Sequence, residues 1–417
     1  MVKSFIVFCF LFISFHAVAQ DVLEIRLRDK ETQNAVDGAS IRYPRLKEGT
    51  ISNKDGKAEL SKKTGESILI THIGYDSLSV SASEISGKSS LVFYLKPRPN
   101  QIEEVSIQSF DLQKAILYVI DNFHKLYQNS PTERIGNLKE TAYVDNELKR
   151  IVLTKFGWWS RNYIFSRYAE PKFKLFEVEY NKSVPFDIFV DQTAYNKESS
   201  EFLNVESIIK TLYFDNFLNK LYQHTPSLRT KSMSSDENRI TVHFESDWST
   251  VKTMRTKSTG TVVFDKKTKA IIDLVNEIEH MDNIKQMQFQ NSNVRYTNQT
   301  LKSYSRHQFS KNQDDKYAIQ SFQANSDAQL IYNHKTFNLV FENSFYILKE
   351  SRKGNAGKGP FVDPKIALFR NIPQTTSIVS DLSSINLTDE EIKFIESGRP
   401  NLELTDSLRT NNNVPVE

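Results

Sequence analysis

Asn53-Lys54-Asp55-Gly56-Lys57-Ala58-Glu59-Leu60, then Ile68-Leu69-Ile70-Thr71-His72-Ile73-Gly74-Tyr75, then Leu91-Val92-Phe93-Tyr94-Leu95: these three runs decide the fold of the first hundred residues. Asp55-Gly56 is a strong hairpin signal, because glycine takes a positive φ without a Cβ clash. After it, Ala58 and Leu60 point one way while Lys57 and Glu59 point the other, the pattern of a half-buried strand. Working outward, Leu23, Ile25 and Leu27 alternate with Glu24, Arg26 and Arg28. Asp37-Gly38 makes another turn, and Ala39, Ile41 and Tyr43 alternate after it. Leu78, Val80 and Ala82 repeat the pattern, as do Leu91, Phe93 and Leu95, before Pro97 and Pro99 stop the sheet. Short strands with turn signals at this spacing predict a small β-sandwich.

The order of motifs carries a resemblance. It runs Gly38-Ala39-Ser40, Gly49-Thr50, the Asp55-Gly56-Lys57 turn, Ile73-Gly74-Tyr75, then Glu103-Glu104-Val105-Ser106-Ile107. From about Val22 to Ile107 the chain resembles the carboxypeptidase-regulatory-like domain, a prealbumin-like sandwich of secreted and outer-membrane proteins of the Bacteroidetes. The resemblance implies an accessory module with no catalytic residues of its own. Gly74-Tyr75 reads as a tight bend with an aromatic plugging the sandwich.

The N-terminus reads as a signal peptide over residues 1–20. Lys3 is its positive end, Phe5 to Phe15 its apolar run and Ala17-Val18-Ala19 its cleavage site; an uncleaved anchor is the alternative. The chain's single cysteine, Cys9, lies in that run, so the mature chain is expected to hold no disulfide, thiol nucleophile or thiolate metal site. The net charge of +3 over 417 residues is too balanced to point to nucleic acid or an anionic membrane surface.

Beyond the sandwich (residues 21–97) and a linker with a short strand (98–110), residues 111–350 are expected to form an α+β domain with a large curved antiparallel sheet. The fold class is therefore mainly β with some α. Leu112, Ala115, Ile116, Val119, Ile120, Phe123 and Leu126 share one face of a helix that ends before Pro131. A second helix is expected over Val205 to Tyr222. Its end resembles the stretch Asp121 to Gln128, which leaves an internal duplication or a coincidence of composition open. From Asn238 to Phe341 a strand meander is expected, with a hairpin at Asp265 to Lys269 and strands near Lys285–Phe289, Leu301–Phe309, Tyr317–Phe322 and Phe337–Leu348. Lys285, Gln286, Gln288, Arg306 and His307 interrupt these strands too often for the lipid-facing band of a membrane barrel. Residues 351–400 read as a basic loop, in which the phosphate-loop pattern around Gly357-Lys358 fails, and a short helix with a Thr388/Glu391 capping box. Residues 401–417 read as a frayed tail.

No catalytic motif stands out. His-Glu-x-x-His and Gly-x-Ser-x-Gly are absent, and His224, His243, His280, His307 and His334 are scattered singly. No cofactor or metal site is expected. Trp158-Trp159 could stack a sugar ring, although such pairs are more often core. The reading is an exported, non-enzymatic envelope protein that binds or scaffolds an envelope protein, glycan or lipid, with no transmembrane segment in the mature chain. The alternatives are a secreted hydrolase on peptide or glycan, and a periplasmic carrier of a hydrophobic ligand in a half-barrel.

Overall fold

The computed structural model describes residues 22–46, 48–98, 110–161, 172–184, 186, 188, 212–251, 254–288, 294–356, 361–363, 366–371 and 387–397. The leader, the tail, Val205 to Ile209, Gly357-Lys358 and all of the linker except Arg98 and Phe110 lie outside these residues.

The N-terminal strands are β1 (Val22–Asp29), β2 (Ser40–Tyr43), β3 (Glu48–Ile51), β4 (Lys57–Ser61), β5 (Ile68–His72), β6 (Tyr75–Val80) and β7 (Ser90–Leu95). They form a three-stranded sheet β4-β1-β7 and a four-stranded sheet β3-β2-β5-β6. The alternating residues behave as their spacing requires: Leu23, Ile25, Leu27, Ile41, Tyr43, Ile68 and Ile70 meet in one core between the two sheets. Each large aliphatic side chain buried there contributes about 1.5–3 kcal/mol.

Two details differ from the sequence expectation. Asp55-Gly56 does not close a hairpin, because β3 and β4 belong to different sheets. It is a crossover turn held by Asn53, whose Oδ1 accepts from the Asp55 and Lys57 amides at 3.0 and 2.9 Å. Gly56 is required there: its φ is +72° and an added Cβ would lie 2.4 Å from the Leu27 carbonyl. Ala82 leaves the strand pattern, because Ser81 and Glu84 form a capping box that starts helix α1 (Ala82–Ile85).

The second part is a 12-stranded sheet. Its strands are β8 (Thr132–Val144), β9 (Glu147–Ser160), β10 (Lys172–Ser183), β11 (Arg229–Ser235), β12 (Arg239–Glu245), β13 (Ser249–Val251), β14 (Met254–Asp265), β15 (Ile271–Met281), β16 (Ile284–Gln288), β17 (Arg295–Lys311), β18 (Tyr317–Tyr332) and β19 (Lys335–Arg352). The order is β10-β9-β8-β19-β18-β17-β15-β14-β12-β11, with β13 beside β14 and β16 beside β17. All its pairings are antiparallel, and the Asp265–Lys269 turn closes the β14–β15 hairpin as expected.

Helices α2 (Leu112–Asp121), α3 (Phe123–Leu126) and α4 (Phe214–His224) lie on one face of this sheet. Their apolar stripe meets Phe156, Trp158, Phe264, Phe309, Phe322 and Phe345. The second helix thus begins at Phe214 within the described residues, with Leu212 buried just before it. The stretch resembling it breaks at Asn122 between α2 and α3, so the two segments do not share a backbone path. Among the described residues no helix is long and apolar enough to cross a membrane. Helices α5 (Leu368–Asn371) and α6 (Asp389–Glu396) are the last elements among the described residues; α6 starts at the Thr388/Glu391 capping box.

Period-two alternation gives the large sheet two unlike faces. On β17, His307 and Phe309 join the aromatic cluster around Phe214, at ring distances of 5.2 and 4.6 Å. Their neighbours Arg306 and Gln308 face the opposite way, toward the sandwich. The sheet is therefore a middle layer, with helices on one side and the sandwich with α6 on the other.

Candidate functional site

The crossover turn that sets the sandwich topology also docks it. Asn53 donates to the Leu387 carbonyl at 2.8 Å, and the Asp389 amide donates to Asp55 Oδ2 at 3.0 Å. Lys54 pairs with Glu342 of β19, and Lys57 with Asp389 of α6. Lys139 of β8 then holds both oxygens of Glu391 at 2.9 Å, fixing α6 to the sheet. At the other turn, Arg306 is nearly fully buried. It grips Asp273 through two bonds of 3.1 and 2.8 Å and donates to the Gly38 carbonyl at 2.9 Å.

Gly38 shows how tightly this joint is built. Its φ is +69°, and an added Cβ would lie 2.7 Å from Arg306 Nη1, an atom that Asp273 keeps from moving away. Gly38→Ala is expected to cost about 1–2 kcal/mol for the left-handed backbone alone. Urea denaturation would read this as a lower midpoint; an unchanged midpoint would show that the joint is slack.

Between these contacts the two layers stay apart, leaving a cleft that His72 and Ile73, at the end of β5, divide into two cavities. The first has a volume of about 450 Å³. Its walls are Asp37, the Thr50–Lys54 segment and His72 from the sandwich, strand residues of the sheet such as Tyr304, Gln323 and Asn325, and Thr388 and Glu391 at α6.

Its electrostatics follow from partial burial. Burial raises the Asp37 carboxyl above its ordinary value, against the opposing pull of Lys54, Lys139 and Arg306. Asp37 keeps accessible surface because it faces the cavity, while protein surrounds it. Burial, and secondarily the Arg306 charge, hold His72 well below the usual imidazole range, so it is neutral at pH 7. Its Nδ1 accepts from the Gly74 amide at 3.1 Å, which leaves the proton on Nε2. Burial pushes the Tyr304 hydroxyl up to about 12.

Amides complete the lining. Gln323 and Asn325 of β18 face the cavity and make no side-chain hydrogen bond to described residues. Asn343 Oδ1 is buried and has no hydrogen-bond partner among the described residues. An orphaned buried acceptor costs about 1–3 kcal/mol. The site can therefore bind a small polar molecule by hydrogen bonds. Of the glutamates on its lining, Glu342 and Glu391 are held by Lys54 and Lys139, while Glu277 makes no ion pair among the described residues. Among the described residues no three of His, Asp and Glu come together as a metal site would need.

Trp158 and Trp159 lie elsewhere and apart. Trp158 is fully buried, parallel to Phe173 at 6.4 Å, edge-on to Tyr213 at 5.6 Å and beneath the Arg134 guanidinium at 4.7 Å. Trp159 points to the opposite face of β9 and donates Nε1 to the Lys353 carbonyl at 2.9 Å. Neighbours on a strand face opposite ways, so the two rings do not make one stacking platform. The residues that do gather, Asp37, His72, Arg306 and Asn343, are scattered over the sequence. The available signal was weak: Tyr304, Arg306 and Gln308 alternate with Ser305, His307 and Phe309, of which only Phe309 is apolar.

No family model matches the chain, and no curated protein is similar to it. Among solved structures, a chain described as "lipid-protein interactions in lipovitellin" is similar over 58% of this chain and 27% of that one. The identity is 8% and the TM-score 0.24, too low to carry an argument about fold or function.

Proposed function

We propose that the chain is an exported, non-enzymatic binding protein of the cell envelope that holds a small polar ligand between its sandwich and its large sheet. The observation that carries this is the pair of Gln323 and Asn325 amides, without side-chain hydrogen bonds among the described residues, on the wall of a cavity of about 450 Å³. The signal-like residues 1–20 and the resemblance of residues 22–107 to the carboxypeptidase-regulatory-like domain support export and an accessory role. Phe123, Tyr127, Phe214 and Phe309 pack the helix-covered face of the sheet.

The test is a thermal-shift screen of the full chain against neutral sugars, amino acids and short peptides. At least one is expected to raise the midpoint. A Gln323→Leu/Asn325→Leu variant is expected to lose that shift while keeping the ligand-free midpoint. A panel with no stabiliser, or a shift that survives the variant, would overturn the reading.

A further inference from the structure

The second cavity, about 810 Å³, lies on the far side of His72 and Ile73, between β2 and the β12–β14–β15–β17 region of the sheet. That volume is in the range of a small-molecule site. Most charges around it are satisfied. Arg98 reaches Asp76 and Asp236, each at 3.6 Å. Lys311 pairs with Asp315 at 2.9 Å, and Asp273 with Arg306 at 2.8 Å. Asp265 accepts from Thr268 through its amide and hydroxyl at 2.6 and 2.7 Å.

Two cations are not satisfied. Arg42, on β2 of the sandwich, and Arg239, at the start of β12, have no ion pair within 4.0 Å and no side-chain hydrogen bond among the described residues. Both are half-buried, and Arg42 Nε is buried without a partner. The alternation on β2 explains the position: Ile41 and Tyr43 fill the sandwich core, so Ser40 and Arg42 must face the cleft. Burial first, and the Arg239 charge in addition, hold Arg42 below its ordinary value, against an opposing contribution from Tyr346. Two like charges near each other, with donors unmatched, raise the free energy of the empty site.

We propose that Arg42 and Arg239 form a two-walled clamp for a phosphoryl group carried by a small polar ligand in the second cavity. A planar carboxylate offers one two-oxygen edge to one guanidinium fork, whereas a tetrahedral phosphoryl group offers several edges and can take a fork from each wall. The Ser40 and Ser77 hydroxyls, also on this lining, supply neutral donors. The volume exceeds a bare phosphate, so the group is an ester whose remainder occupies the polar floor near Gln308 and Gln320. This site stands or falls separately from the first cavity, because no residue of the clamp lines that cavity.

The test is calorimetric titration of the full chain with inorganic phosphate and with a hexose 6-phosphate, and sedimentation with phosphatidylglycerol vesicles. Saturable binding of at least one probe is expected; binding of a soluble probe assigns a free phosphoester, and binding of vesicles alone assigns a lipid headgroup. Arg42→Gln and Arg239→Gln are each expected to weaken it tenfold or more. The ligand-free urea midpoint of Arg42→Gln should be unchanged or higher, since an unpaired half-buried charge has gone. Absence of binding to all three probes, or binding that survives both substitutions, would overturn the clamp.

Discussion

Replacing Arg306 with methionine is expected to lower the free energy of unfolding by about 3–5 kcal/mol, the range for breaking a buried ion pair from one side. The guanidinium side chain is 3% exposed and its partner Asp273 13%. Methionine fills similar space, so the loss is electrostatic. Asp273 would keep only the 3.3 Å bond from Gln308, and the Gly38 carbonyl would lose its 2.9 Å donor. Because Gly38 belongs to the sandwich and Asp273 to the sheet, the damage falls on the joint. Calorimetry should then split one transition into two. Adding Asp273→Leu is expected to recover part of the loss, since removing both partners leaves no stranded charge. A single transition at the wild-type midpoint would mean that Lys54–Glu342, Lys57–Asp389 and the Asn53 bond hold the joint without Arg306.

The strands were legible because a half-buried strand writes its faces into the sequence with period two. Leu23, Ile25 and Leu27 show this, as do Ala58 and Leu60. The turn at Asp55-Gly56 was legible too, but its partners were not. Glycine fixes a local φ and says nothing about which strand lies alongside. The same limit hid the cleft. Gly38, His72 and Arg306 are brought together only where the sandwich meets the large sheet, and no local pattern encodes that. Some signals were present and unread. Ser81-x-x-Glu84 is a capping box on its face. The polar residues of β17 were read only against a lipid-facing band, and they equally announced a second protein layer.

Adjacent tryptophans in a strand carry the same lesson in quantitative form. Trp158→Ala is expected to cost about 3–5 kcal/mol, the usual range for emptying a large buried aromatic site. The side chain is fully buried, and its loss strips Arg134, itself fully buried, of the ring it rests on. The cavity left behind would loosen the contacts of Arg134 with Glu350 at 3.3 Å and Ser160 at 2.9 Å. Trp159→Ala removes one hydrogen bond to the Lys353 carbonyl from a part-exposed ring, worth about 0.5–1.5 kcal/mol. Urea titrations followed by circular dichroism would separate the two, avoiding the fluorescence that the substitutions themselves alter. Iodide should quench Trp248, which is 41% exposed, and leave Trp158 untouched. Equal costs for the two alanine variants would contradict the opposite-face geometry of β9. They would bring back a shared surface for both rings, and with it the sugar-stacking role that the buried position of Trp158 argues against.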